Sequence, residues 1–250
     1  MAIPVKNEAQ LDSMRKAARI VADALALMEQ NVVEGITTRE LDKIAYSFIR
    51  KHSAMPSFKG YNGFPGSACI SVNEVILHGI PGLRRLKNGD IVSIDIGVQY
   101  NGFHADAART FGVGEISPKA QELVDITKAS FFDCMRFARE GCRLHDISAA
   151  IQDFVEARGY NVAKDFVGHG IGKSLHEPPQ IPIFRQKNRG PRLAKGMVLA
   201  IEPMVIQGPD DIQILQDGWT AQSRAKSLTA HYENTVIITE GAPEIITLLE

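Results

Sequence analysis

Cysteine is scarce in this chain: Cys69, Cys134 and Cys142 are the whole supply, and no two stand in a C-x-x-C pair. That excludes a disulfide framework and a cysteine zinc module, and it fits a reducing compartment. No uninterrupted apolar run of about 18 residues occurs, so no membrane span is expected. The opening residues, Met1-Ala-Ile-Pro-Val-Lys-Asn-Glu, hold no apolar stretch of the kind a secretory signal needs. Neither sign of charge dominates: 28 Lys and Arg stand against 29 Asp and Glu, which leaves no global electrostatic footprint for nucleic acid. These absences predict a soluble, cytoplasmic protein without membrane contact. What remains is 250 residues, 44% of them hydrophobic, enough for one large domain or two small ones with a substantial core.

The apolar residues have order. Leu11, Met14, Ala18, Val21, Leu25 and Met28 recur in steps of three and four, one face of a helix that Gly35 breaks. Thr37-Thr38-Arg39-Glu40 reads as a capping box opening a second helix, which carries Leu41, Ala45 and Phe48. Residues 54–68, with Pro56, Gly60, Asn62-Gly63 and Pro65-Gly66, read as loop. A strand around Cys69–Val72 and a turn at His78-Gly79-Ile80-Pro81 lead on to a hairpin.

In that hairpin Val92, Ile94, Ile96 and Val98 alternate with Ser93, Asp95 and Gly97, a strand's period of two. Asn101-Gly102 suits a two-residue type I′ turn, whose positions both need φ > 0. Tyr100 then pairs with Phe103, Asp95 faces Ala108, and Asp106 faces Gly97, where the space is empty. The two carboxylates become diagonal neighbours about 7–8 Å apart. They raise each other's pKa unless a cation sits between them. Read alone, the stretch is rather the solvated face of an amphipathic hairpin, since polar outer faces of antiparallel sheets are common.

The second half restarts the pattern. Ser117 caps a helix with Pro118 at its first position, and Leu123, Ile126, Ser130, Cys134 and Phe137 supply its face. Glu140-Gly141 ends it, and a further helix carries Ile147, Ile151 and Phe154. Glu34-Gly35 and Phe48 match Glu140-Gly141 and Phe154 at an offset of 106. Leu86-x-x-Gly89-x-x-Val92-x-Ile94-Asp95 recurs as Leu193-x-x-Gly196-x-x-Leu199-x-Ile201-Glu202, and His78-Gly79-Ile80 as His169-Gly170-Ile171. The chain therefore reads as two halves of one α+β design, about 1–115 and 116–250, in which Glu202 is the mate of Asp95.

Glu202 lies in Met197-Val-Leu-Ala-Ile-Glu-Pro-Met-Val-Ile, apolar on both faces as a central strand is. An ionised Glu there costs several kcal/mol unless paired or bound to a metal. The alternative is an edge strand with Glu202 in water, which Pro203 permits. Glu233 opens a similar strand, and His169 sits between glycines in a G-x-G-x-G string that does not suit a phosphate loop. Asp95, Asp106, His169, Glu202 and Glu233 make four carboxylates and one imidazole, too negative for a single divalent ion. Two ions with shared carboxylates balance the charge, and such donors suit Mn²⁺, Fe²⁺, Co²⁺ or Zn²⁺. Paired metals of this kind activate water and polarise a carbonyl, as in aminopeptidases.

Taken in order, His78-Gly-Ile-Pro, Ser93-Ile-Asp-Ile-Gly with Asp106, Gly168-His-Gly-Ile-Gly, Leu175-His-Glu-Pro-Pro-Gln, Ala200-Ile-Glu-Pro-Met and Tyr232-Glu-Asn-Thr form a specific set. Over essentially its whole length the sequence resembles the type I methionine aminopeptidases in their short bacterial form. The resemblance implies a single metallopeptidase domain, 1–250, with the pita-bread fold: two pseudo-symmetric halves around a central antiparallel sheet. It implies metal-dependent removal of the initiator methionine from nascent chains when the second residue is small. Two divalent ions (Co, Mn, Fe, Zn or Ni) are implied, with Asp106 and Glu233 bridging, Asp95 chelating one, and His169 and Glu202 holding the other. Glu202 would also be general base, His176 would meet the oxyanion, and His78 would contact the peptide near the scissile nitrogen. The methionine pocket maps to Tyr61, Phe64, Cys69 and Trp219, with Phe58 and Leu175 beside them. Phe64 and Leu175 depart from relatives with Tyr and Phe there, and Phe58 has ordinary core as its plainer reading.

The resemblance further implies a monovalent cation near Asn73, Val75 and Thr229, a monomer, and association with the ribosome. Neither a cysteine-rich N-terminal extension nor the helical insertion of type II enzymes between His169 and Glu202 is expected. His52 and His145 read as surface residues, and His104 and His231 share strand parity with Asp106 and Glu233, so they can support ligands. The basic run Arg185–Arg192 reads as a solvated loop or an RNA-docking one, while Pro209-Asp210-Asp211 is acidic where some relatives are lysine-rich. Two alternatives stay open. One is a proline-directed peptidase of the same fold, which usually carries an additional N-terminal domain; the other is a ligand-binding relative without catalysis.

Overall fold

Capping begins the first helix. In the computed structural model, which describes residues 3–248, the Asn7 side chain accepts from the Gln10 amide and the Gln10 side chain returns to Asn7. Helix α1 (Glu8–Asn31) follows, with the predicted face from Leu11 to Met28 buried. Thr37 and Glu40 form the expected capping box of α2 (Thr38–Lys51). Leu41 and Ala45 are buried there, but the next buried side chain is Ile49. Phe48 is half-buried and packs on His52, ring centroids 4.3 Å apart. The wide ring fits the margin of the helix–sheet contact better than its middle.

The segment expected as loop is not wholly loop, because β1 (Met55–Pro56) pairs with the hairpin and Tyr61–Gly63 makes a 3₁₀ turn. Next come β2 (Cys69–Val72), β3 (Val75–Leu77) and the hairpin β4 (Ile91–Tyr100) and β5 (Phe103–Gly112). Its register is the predicted one: Tyr100 opposite Phe103, Asp95 opposite Ala108, Gly97 opposite Asp106. The turn residues Asn101 and Gly102 have φ of 48° and 75°. Strand β4 is flanked by β5 on one side and by β1 and β2 on the other. Ile94, Ile96, Val98, Ala105 and Ala107 join α1 and α2 in one apolar cluster. The opposite face holds Asp95 and Asp106 at only 8% and 3% exposure, so it is not solvated. Nor is the space opposite Asp106 empty: a Cβ at Gly97 would stand 2.7 Å from the Phe58 ring and 2.9 Å from Ser57 Cβ.

Ser117 caps α3 (Pro118–Cys134), which ends before Glu140; a 3₁₀ turn over Met135–Phe137 completes the segment. In α4 (Leu144–Glu156), Ile147 and Ile151 are buried, and Val155 rather than Phe154 is the next buried position. That is the shift seen at Ile49 and Phe48. The remaining strands are short: β6 (Asn161–Val162), β7 (Val167–Gly170), β8 (Glu177–Pro182), β9 (Val198–Ile201), β10 (Met204–Ile206), β11 (Ile212–Ile214), β12 (Ala221–Ser223), β13 (Thr229–His231), β14 (Asn234–Ile237) and β15 (Glu244–Ile245). They form sheets of order β15-β14-β9-β7-β8, β13-β10-β6 and β11-β12-β3, all antiparallel. A second apolar cluster joins α3 and α4 to these strands.

Backbone bonds recur between the halves. Gly35 N–H donates to Leu86 O at 2.8 Å and Leu86 N–H to Ile36 O at 2.9 Å. Gly141 and Leu193, Leu193 and Cys142 repeat both bonds at 2.9 Å. Arg85 and Arg192 donate in the same way to the carbonyls of Gly35 and Gly141.

A seam along the outer edge of β5 unites the hairpin with residues 231–235. Glu233 N–H donates to Ala108 O at 3.0 Å, and Thr110 and Thr235 hydroxyls complete the ladder on either side by bonding the backbones of His231 and Asp106. Glu233 thus sits between β13 and β14 rather than opening a strand.

Candidate metal centre

The residues assigned from the sequence to the metal ions, to catalysis and to the methionine pocket all line one cavity of about 350 Å³. Asp95 and Asp106 reach its floor from facing strands of the hairpin, and the seam brings Glu233 beside them. His169 and Glu202 come from the neighbouring strands β7 and β9, with His169 opposite Ala200. Strand β9 is internal to its sheet, so Glu202 lies at the end of a central strand and is 6% exposed; the edge-strand alternative fails. The glycines around His169 have a steric reason. A Cβ on Gly168 would lie 2.4 Å from Ala200 O, and one on Gly170 2.2 Å from Pro178 O.

The donor atoms converge. His169 Nε2 is 3.6 Å from Asp106 Oδ2 and 3.8 Å from Glu202 Oε1. His231 Nε2 is 3.7 Å from both Glu202 Oε2 and Glu233 Oε2. One donor atom each from Asp106, His169 and Glu233 lie within 4.8 Å of one another, and so do those of Asp95, His231 and Glu233. His169 Nδ1 donates to the Gly170 carbonyl at 2.9 Å. A carbonyl only accepts, so the proton is on Nδ1 and the Nε2 lone pair faces the carboxylates.

Burial dominates the electrostatics. It pushes Asp95, Glu202 and Glu233 well above the usual carboxylate range, with the neighbouring carboxylates adding to the effect, and it raises Asp106 to about 7. Burial also lowers His169 to about 4, so its imidazole is neutral. Asp95 Oδ1 and His231 Nε2 are buried with no hydrogen-bond partner among the described residues. A set of buried oxygen donors, a free imidazole lone pair and orphaned polar atoms fits divalent cations and little else.

Polar neighbours hold the donors in place. Thr235 Oγ1 donates to the Asp106 backbone carbonyl at 2.8 Å. The Arg109 guanidinium donates to the carbonyl of Glu233 and to Asn234 Oδ1, and stacks on Tyr232 with 4.3 Å to the ring centroid.

The walls are aromatic. Phe64 and Trp219 meet edge to face at 5.2 Å between centroids, and His78 stands 6.0 Å from Trp219 and 6.1 Å from Phe166. Cys69, Leu175 and Phe58 belong to an apolar cluster bridging the two helix-backed ones, so Phe58 is both core and wall. His176 Nδ1 lies 2.7 Å from Tyr61 Oη, and its ring centroid is 4.2 Å from that of His169.

Sequence reasoning passed over Asn62, Leu77, Asp165, Phe166 and Val167, which also line the cavity. Phe166 and Val167 run directly into Gly168-His169, and that adjacency was a usable signal. Both ring nitrogens of His104 are engaged by groups other than the donors, Nδ1 with Ser57 Oγ at 2.8 Å and Nε2 with Gln99 at 3.1 Å. His52 is exposed as expected, but His145 is half-buried, with Nδ1 bonded to Asn188 O at 2.8 Å. The basic run is a surface loop pinned to α4 by Arg185–Asp153 and Arg189–Asp146 pairs. Thr229 Oγ1 stands 2.9 and 2.8 Å from the carbonyls of Asn73 and Val75.

Residues 12–240 match the model of metallopeptidase family M24. A methionine aminopeptidase of Clostridium perfringens is 56% identical over 248 residues, 99% of this chain and 100% of that protein. Methionine aminopeptidase 1 of Bacillus subtilis is 49% identical over 97% of this chain and 98% of its own. The crystal structure of a methionine aminopeptidase from Thermotoga maritima superposes with a TM-score of 0.97 at 41% identity, covering 99% of this chain and 100% of that one.

Proposed function

Because the chain belongs to metallopeptidase family M24, among its methionine aminopeptidases of bacterial type, we propose that the cavity is where a nascent chain loses its first residue. The protein has the pita-bread fold and is a metal-dependent aminopeptidase that removes N-terminal methionine. The observation that carries the site assignment is the buried donor set with its unpartnered Asp95 oxygen on the floor of an aromatic-walled cavity. In this reading residues 1–250 are one domain of two halves, about 1–115 and 116–250.

The centre would hold two divalent ions, of Co, Mn, Fe, Zn or Ni. Asp106 and Glu233 would be donors to both, Asp95 would serve one, and His169 and Glu202 would serve the other. Such ions supply Lewis acidity and lower the pKa of water. The protein's own groups move the protons and place the substrate. Glu202, deprotonated once metal is bound, would take the proton of the attacking water and return it to the departing amine. His176 Nδ1 pairs with the Tyr61 hydroxyl at 2.7 Å; with the phenol as donor, the imidazole proton is on Nε2, where it would meet the oxyanion that appears in the transition state. His78 contacts the peptide near the scissile nitrogen. Tyr61, Phe64, Cys69 and Trp219, with Phe58 and Leu175, enclose the methionine side chain, and crowding beyond them favours a small second residue.

No helix of the described residues is long and apolar enough to cross a membrane. We place the enzyme in the cytoplasm, as a monomer working close to the ribosome, with a monovalent cation near Asn73, Val75 and Thr229. Turnover of Met-Ala-Ser, Met-Leu and Gly-Pro peptides with Mn²⁺ or Co²⁺ tests the assignment. Met-Ala-Ser should be cleaved well, Met-Leu poorly and Gly-Pro not at all. Preference for Gly-Pro would restore the proline-directed alternative.

A further inference from the structure

His231 has no part in the ligand set that the resemblance supplies, yet its imidazole is 1% exposed and its Nε2 has no hydrogen-bond partner among the described residues. Strand β13 fixes it. Its backbone N–H and carbonyl both bond Thr110 Oγ1 at 2.9 Å, and strand alternation puts its side chain on the same side as that of Glu233. The 3.7 Å from Nε2 to Glu202 Oε2 and to Glu233 Oε2 is too long for a hydrogen bond. The separation from Glu233 is ordinary for two donors of one ion, which at bond lengths of about 2.1 Å stand roughly 3–4 Å apart, and Asp95 offers a third donor atom within 4.8 Å. His169 keeps equivalent separations, 3.6 and 3.8 Å, from Asp106 and Glu202. In its distances to the neighbouring carboxylates, His231 is placed as His169 is.

We propose that His231 Nε2 is a metal donor, giving the Asp95 side of the centre the imidazole that His169 gives to the other side. The proposal rests on the two-ion reading above. It turns the set into four carboxylates and two imidazoles, one nitrogen for each ion, with Glu233 common to both donor groups. Four negative charges then balance two divalent ions, and the orphaned nitrogen acquires its partner.

Cobalt-loaded protein with ¹⁵N-labelled histidine provides the test. A coordinated imidazole carries an exchangeable N–H on its other nitrogen, which paramagnetic Co²⁺ shifts far outside the diamagnetic range. With two equivalents of Co²⁺, the wild-type chain should show two such signals. His231→Gln should keep one and His169→Gln the other. Calorimetric titration of metal-free His231→Gln should show one ion bound at least about tenfold more weakly, the lower end of what loss of a supporting contact costs. A single shifted N–H in the wild-type protein, which needs no variant to fold, overturns the proposal. Two ions bound by His231→Gln at wild-type affinity overturn it as well. If His169→Gln also keeps both ions at full affinity, the failure belongs to the metal-centre reading itself.

Discussion

His169 and His176 touch, with ring centroids 4.2 Å apart, yet their surroundings assign them different work. The first offers a lone pair to the carboxylate cluster, whereas the second pairs its Nδ1 with Tyr61 Oη at 2.7 Å in the cavity wall. His176→Ala should therefore keep its metal and its substrate affinity while kcat falls about 10²–10³-fold. His169→Ala should lose metal affinity, with activity partly restored by excess Mn²⁺ or Co²⁺. Elemental analysis read beside kcat and KM separates the two outcomes. The carboxylates add a pH dependence. Burial raises Asp106 to about 7 in the fold, above the usual 3.8, and shifts Asp95, Glu202 and Glu233 the same way. Their contribution to metal-free stability is full below the unfolded pKa and is lost as pH rises through the folded one. A divalent ion must displace the protons held in that window, so affinity should climb from about pH 5 to about 7. Calorimetry near pH 6 in buffers of different ionisation enthalpy should register proton release; identical heats would contradict it.

At the scale of elements, the hairpin does two jobs with its two faces. One lies under α1 and α2, and the other carries Asp95 and Asp106 into the cavity. Gly97 lets them coexist with the aromatic wall, since Phe58 and Ser57 occupy the room a side chain there would need. Gly97→Ala should push Phe58 outward, costing about 1–3 kcal/mol as overpacking does. Its Tm should drop, and KM for methionyl peptides should rise more than kcat falls. An unchanged Tm would mean that Phe58 is not seated by the hairpin.

Across the whole molecule, each pair of helices backs its own apolar cluster, and a third cluster joins them beside the cavity. None of the three needs an ion to form. Chelation should therefore abolish turnover while leaving a cooperative thermal transition. Adding metal back should raise Tm by mass action, equivalent to about 2.7 kcal/mol at a hundredfold excess over Kd. A chelated chain that melts without cooperativity would show that the ions are structural.

The amino-acid order by itself determined the features whose causes are local. Asn101-Gly102 set the hairpin register residue by residue, Thr37 and Ser117 placed two helix starts, and the recurrence of Glu-Gly and of Leu-x-x-Gly exposed the repeat. The Asn7–Gln10 capping box was equally local and was legible as an Asn three residues before a Gln. Tertiary structure alone decided whether Asp95 faces water or the cavity, because the covering elements come from distant parts of the chain. It alone placed Phe58 in the space left by Gly97, exchanged Phe48 for Ile49 and Phe154 for Val155 at the buried positions, and brought His231 among the donors. Strand parity had shown only that His231 and Glu233 share a side. The Thr110 and Ala108 contacts that carry both to Asp95 and Asp106 span more than a hundred residues, a separation over which local sequence preference has no hold.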